Sequence, residues 1–366
     1  MAIFGQGFTD SEKYLNELCK KTFLSLWSNV NVFREPTKEL CDLLVVAGDD
    51  IIIFSVKDCI FPNIENIELA WQRWFRSAVS DSAKQLWGAE KRIIKYPNKI
   101  YTDSKCEHKL RIPVEITEKT KFHLVLVAHG ASSVCREMFG GSGSLMYDNQ
   151  IVGVNQHVVP FTIGDLDVEK SFLHVLDDTT LDIILKTRDT VADFTSYLSK
   201  RKKFLRWAIR ISSTGEEEML AHYLKELNED KEHDFVIPKN HNSDTEILFA
   251  EGAWDSFQKN PQRIEQLRAD QISYLWDEII EEFSRHAIAG TQYEVSAGGF
   301  LDSERAIRFL SLETRLTRRV LARGLSEMIT QTPSNLRRIR VFPMNHDGIL
   351  DRIRRQQLRS IIGRAS

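Results

Sequence analysis

The stretch that decides the fold is Glu39-Leu-Cys-Asp42-Leu-Leu-Val-Val-Ala47-Gly48-Asp-Asp50-Ile-Ile-Ile-Phe-Ser55-Val-Lys57. Two apolar runs, Cys41–Val46 and Ile51–Val56, are rich in β-branched residues and stand either side of Ala47-Gly48-Asp49-Asp50. Gly and Asp supply turn chemistry between them, so the stretch predicts a β-hairpin. Because the runs are nearly all apolar rather than alternating, the hairpin is expected at the centre of a sheet covered on both faces.

On the N-terminal side, Tyr14, Leu15, Leu18, Cys19, Phe23, Leu26 and Trp27 recur at helical spacing, and Thr9 with Glu12 has the form of a capping box. A helix is expected over residues 11–27, then a turn or loop through SNVNVFREPTKE. On the C-terminal side, Trp71, Trp74, Phe75, Ala78, Val79, Ser82, Leu86 and Trp87 make one apolar stripe, predicting a helix over residues 68–91 that packs on the sheet. Strands are expected at 122–128, 151–159 and 172–176, and a helix over 181–198. The run Phe139-Gly140-Gly141-Ser142-Gly143-Ser144 lacks a following Gly-Lys-[Ser/Thr] and reads as a connector. After a polar, turn-rich boundary at 239–244 the chain reads as mostly helical, ending in an arginine-rich tail that includes Arg337, Arg338, Arg352 and Arg359. These patterns give three segments: 1–130, 131–240 and 241–366.

The chain has 366 residues, 42% hydrophobic and 28% charged, a globular balance that excludes wholesale disorder. Its formal net charge of −3 means that any nucleic-acid site is a local basic patch. No apolar run has membrane-spanning length and the N-terminus is unlike a secretory signal, so no membrane is expected. The five scattered cysteines contain no CxxC pair, which argues against a disulfide framework or structural zinc and for a reduced, cytoplasmic setting. His123, His129, His157 and His174 form no HxH or HExxH pattern; GxSxG and GxGxxG are absent too.

Asp42 and Lys57 carry the chemistry. If the hairpin pairs through Gly48, the two polar residues meet at its open end, where burying either charge alone is expensive. The ordinary reading is a hairpin whose terminal Asp42 and Lys57 are solvated or paired. The chemical reading is phosphodiester cleavage, with a carboxylate for a hard cation and a lysine for developing charge.

This stretch resembles the core of the PD-(D/E)xK nuclease superfamily and is most similar to its nuclease-related-domain (NERD) and Mrr-like restriction branches. The family pattern is an aspartate heading one strand, a glycine turn, an apolar strand, then acid-x-lysine. The resemblance implies an α/β fold: a restriction-endonuclease-like mixed sheet flanked by helices, in α-β-β-β-α-β order. The resemblance covers roughly residues 10–130; the largely helical C-terminal region is read from the residues that follow. The resemblance implies Asp42 as metal-binding aspartate, Lys57 as catalytic lysine and Glu17 as an additional helix-borne metal ligand. The cofactor would be Mg²⁺ or Mn²⁺, and the partner nucleic acid, DNA first, in a restriction or antiphage setting. The sequence departs from the family at Ser55, which stands where the second acid belongs. Either Glu17 or Asp58 would have to replace it, and Asp58 points to the opposite face of a regular strand. Lys84, Gln85, Arg73 and Arg76, on the tryptophan-rich helix, are weaker candidates for phosphate contact. A nuclease fold kept as a nucleic-acid-binding or scaffold module is the alternative. The C-terminal helices are the place for a protein partner or self-association.

Overall fold

The computed structural model describes residues 9–207, 209–237, 245–291 and 299–331. The chain divides into two compact units, Ile3–Asn260 and Pro261–Ser366 with the first two residues. Together they hold the elements of an α/β protein with mixed sheets and a helical C-terminal region.

The larger unit opens with α1 (Asp10–Trp27), β1 (Ser28–Glu35), β2 (Lys38–Ala47) and β3 (Asp50–Asp58). One long helical run follows: α2 (Ile67–Trp74), a π-helical turn (Phe75–Ser80) and α3 (Asp81–Lys95). Next come β4 (Lys121–His129), α4 (Ser132–Phe139), β5 (Met146–Val152), β6 (Thr162–Asp165) and β7 (Leu173–Leu176). The unit closes with α5 (Thr180–Thr187), α6 (Val191–Leu205), β8 (Arg210–Ser213), α7 (Glu216–Lys225), β9 (Glu246–Phe249) and α8 (Ala253–Gln258).

The central sheet has the order β1-β2-β3-β4-β7, antiparallel from β1 to β3 and parallel from β3 to β7. The hairpin turn holds Gly48 at φ 70°, the left-handed value a tight two-residue turn needs. Ile51–Phe54 are fully buried because both faces are covered. On one face Phe54 meets Phe23 of α1 and Phe194 of α6, at ring separations of 5.9 and 6.1 Å. On the other lies the α2–α3 run, whose Trp71, Trp74, Ala78, Val79 and Leu86 are buried. A second sheet, β6-β5-β8-β9, flanks the first.

Several local expectations are corrected. The stretch 28–35 is a strand rather than a loop: Val32 and Phe33 are buried and pair with Cys41 and Glu39. The strand expected at 151–159 runs instead from Met146 to Val152. The helix expected over 181–198 is two, broken where Thr190 caps α6. The segment after residue 244 begins with β9, which pairs with β8 inside the larger unit.

The three consecutive glutamates at the start of α7 are buried, and each is tied to a different part of the chain. Glu216 takes a bidentate pair from Arg201 (2.5 and 2.6 Å). Glu217 accepts from Ser142 and Ser144. Glu218 accepts from the backbone of Gly252 and Trp254, at 2.9 and 2.7 Å. The glycine-rich segment 140–144 is thereby anchored, and a Cβ on Gly143 would stand 2.3 Å from the Ser132 carbonyl.

The smaller unit comprises α9 (Pro261–Asp270), α10 (Tyr274–Ala289), α11 (Gly299–Ser311) and α12 (Arg315–Gln331). Asp277 binds Arg315 (2.8 Å) and the fully buried Arg318 (2.7 Å). The arginine-rich tail, Arg337 to Arg364, and the boundary expected at 239–244 lie outside the described residues. No described helix is long and apolar enough to cross a membrane.

Candidate active site

β2 and β3 part company at one point. They pair from Ala47–Asp50 as far as Leu43–Phe54. Beyond it, β2 continues beside β1 to Lys38, and β3 continues beside β4 to Asp58. In the fork so formed, the Val56 N–H has no strand partner and donates instead to the Asp42 carboxylate, at 2.5 Å. A buried amide must find an acceptor, and here a side chain completes the ladder.

Ser55 and Lys57 are two apart on β3 and so share the face opposite Phe54, towards α3. Asp42 is the next residue after the Leu43–Phe54 pair and stands across from Ser55. Burial raises the Asp42 carboxyl to about 6, against the Val56 hydrogen bond; the Glu12 charge raises it further, while the Ser55 hydroxyl and Lys57 lower it. Glu39 is pushed up to about 7 by desolvation of its carboxyl, then by the charges of Asp42 and Glu12. A one-residue bulge at Leu40, where Val32 faces Cys41 but Phe33 faces Glu39, shifts the phase of β2 beside the exposed Glu39.

The charges of Asp42 and Glu12 both act on Glu39, and Lys57 is the cation acting on Asp42. The acid of α1 whose charge acts on Asp42 is Glu12, in the first turn of that helix. Glu17 is exposed and sits five residues further along α1, about 140° round the helix. A capping box fixes Glu12 at the start of α1, with its Oε2 3.0 Å from the Thr9 N–H. Asp58 points away from the group, as strand parity requires, and accepts from Ser11 at 2.7 Å.

The weaker candidates divide. The Asp81 carboxyl is held low by Lys84, to which it bonds at 2.9 Å, and then by Arg76 and Lys57. Lys84 and Arg76 thus stand at the Lys57 side of the site. Gln85 and Arg73 are exposed on the same helical run. Gly88, in the interior of α3, costs about 1 kcal/mol of helix stability relative to alanine.

The histidines belong elsewhere. His157 is wired to the Gly153 carbonyl and the Gly164 N–H, both at 3.0 Å. His174 lies against Arg201 (3.2 Å), His123 against Asp50 (2.8 Å) and His129 against Asp178 (2.9 Å).

Asp42, Glu12 and Glu39 suit a hard divalent cation in kind: they are oxygen donors, two of them raised first by burial and then by neighbouring negative charge. Mg²⁺ keeps several waters and needs only one or two carboxylates. Among the described residues, the one trio of ligand atoms within 4.8 Å of one another is Asp103, Glu107 and His108. It lies in the loop before β4, and Asp103 is already bonded there by the N–H groups of Lys105, Glu107 and His108. That arrangement is a turn holding itself together.

A scan of protein-family models and searches of curated proteins and of solved structures found no match to this chain.

Proposed function

We propose that this protein is a Mg²⁺- or Mn²⁺-dependent nuclease of the PD-(D/E)xK type that hydrolyses phosphodiester bonds of DNA. The observation that carries the reading is the fork: two strands separate where an aspartate stands across from a hydroxyl two residues before a lysine, with the charges of Lys57 and of Glu12 acting on that aspartate. Support also comes from the order α1-β1-β2-β3-(α2–α3)-β4 with β3 parallel to β4, the α-β-β-β-α-β order of that superfamily.

Asp42 would hold the cation, with Glu12 and Glu39 the carboxylates that share its electrostatic field. A bound divalent ion supplies polarisation of the phosphate and a more acidic water. Lys57 faces Asp42 and is placed to neutralise charge that develops on the phosphate as it is attacked. Ser55 lies where the family has an acid, and its hydroxyl bonds Asp42. Glu12 adds negative charge that acts on Asp42, as Ser55 does not. That same Ser55 favours the second reading, a nucleic-acid-binding or scaffold protein that retains the fold without the reaction.

The deciding experiment incubates the full chain with Mg²⁺ or Mn²⁺ on plasmid, linear duplex and single-stranded substrates. Cleavage abolished in both Asp42→Asn and Lys57→Ala is the expected result. Cleavage unchanged in both defeats the assignment. DNA bound without cleavage or metal uptake selects the second reading.

A further inference from the structure

The face that α3 turns to solvent carries a row of cations. Lys84, Gly88, Lys91 and Lys95 are exposed and stand at i, i+4, i+7 and i+11, one stripe of the helix. At about 1.5 Å per residue the stripe is roughly 17 Å long. At its first turn Lys84 pairs with Asp81 at 2.9 Å, and the Lys57 charge also acts on that carboxyl. Its far end closes on Tyr96, whose ring lies 4.4 Å from the Arg92 guanidinium, 5.2 Å from the Lys95 ammonium and 5.4 Å from that of Lys99.

The basic surface continues onto the β1–β2 hairpin. Arg92 donates to the Arg34 carbonyl at 3.1 Å. The Glu35 carboxyl is held low by Lys38 and, more weakly, by Arg92 and Arg34. Glu35 is the sole acid among residues 34–38 and 91–99, where the sequence places six cations. A chain of net charge −3 has concentrated positive charge here.

Gly88 is the second, independent observation. Its φ is not left-handed, and nothing lies within 4 Å of where a Cβ would stand. Neither backbone conformation nor packing asks for glycine at this position. What glycine leaves is bare helix backbone in the middle of a lysine row, where a bulky polyanion can approach closely.

We propose that this face of α3 is the track on which the backbone of duplex DNA lies, led past Lys84 to Asp42 and Lys57. The proposal rests on the nuclease reading for its direction. A duplex is the occupant because sites for single strands rely on open aromatic faces for base stacking. The ring at this surface, Tyr96, is instead crowded by three cations. What remains is contact with phosphates, independent of sequence.

The test measures binding of a 20-base-pair DNA duplex to the full chain in EDTA, by fluorescence anisotropy across a series of salt concentrations. Replacing Lys91, Lys95 and Lys99 together by alanine should flatten the slope of log K against log salt by about 3, near 0.9 for each phosphate that is no longer neutralised. Gly88→Leu should weaken binding while raising the thermal midpoint, which separates a blocked surface from a damaged fold. An unchanged salt slope in the triple variant, no duplex binding by the wild type, or tighter binding of the single strand through the same lysines overturns the proposal. Cleavage is scored separately: weaker binding by the triple variant of a protein that cuts nothing keeps the track and rejects the nuclease. Cleavage with an unaltered slope does the reverse.

Discussion

Removing the charge of Asp42 should stabilise the protein while abolishing its proposed reaction. The fold raises this carboxyl from an ordinary value near 3.8 to about 6, burial being the largest cause. The folded chain therefore keeps its proton to higher pH than the unfolded chain. Between those two values the folded state binds more protons, so stability falls as pH rises, and above about 6 the whole penalty is present. A shift of about two units corresponds to roughly 3 kcal/mol. Glu39 shares part of it, because the two carboxylates act on each other. Asp42→Asn leaves an amide oxygen for the Val56 N–H and removes the charge. The expected gain is about 1–3 kcal/mol at pH 7.5 in EDTA, shrinking towards zero at pH 4. Urea unfolding at the two pH values measures it. Saturating Mg²⁺, at about a hundred times its dissociation constant, should add roughly 2.7 kcal/mol to the wild type and little to Asp42→Asn. A variant less stable than wild type at pH 7.5, a gain equal at both pH values, or equal stabilisation of both proteins by Mg²⁺ would refute the reasoning.

Other expectations concern neighbouring groups. Glu12→Gln, which preserves the capping box, should lower metal-dependent cleavage by tenfold or more, at least about 1.4 kcal/mol of transition-state stabilisation, while Glu17→Gln leaves it unchanged; steady-state rates compare them. Ser55→Glu should destabilise the metal-free protein and raise cleavage at limiting Mg²⁺, seen by titrating activity against the ion. Asp277→Ala leaves the buried Arg318 without its carboxylate and should cost about 3–5 kcal/mol in denaturant unfolding. His174 is held neutral, first by burial and then by the Arg201 charge, so its folded pKa lies well below 6.5. Stability should fall as pH drops below 6.5 by up to about 1.4 kcal/mol per pH unit, and His174→Gln should lessen that slope.

The hairpin was legible because its information is local: two β-branched runs and a glycine where the chain must turn. The tryptophan stripe was legible for the same reason, although periodicity alone did not reveal the π turn at Phe75–Ser80. β1 was hidden by its polar ends and by Asn31, which adopts φ 48°; its burial comes from β2, found only by pairing. For the candidate site, sequence located Asp42, Ser55 and Lys57, since register through a short turn fixes them. It did not single out Glu12, whose charge acts on Asp42, because a helix stripe names a buried face and not which exposed acid lies within electrostatic reach of a strand. Glu39 depended on a bulge that no residue type announces. Glu216, Glu217 and Glu218 had the composition of a solvated helix start; their partners come from segments up to 75 residues away.

The fork also makes a natural reporter. A backbone amide that ends in a carboxylate rather than a carbonyl feels every change in that carboxylate's charge. The Val56 amide resonance should therefore move with the protonation of Asp42, and again when an ion draws on the same oxygens, giving a single-atom readout of the site that needs no substrate.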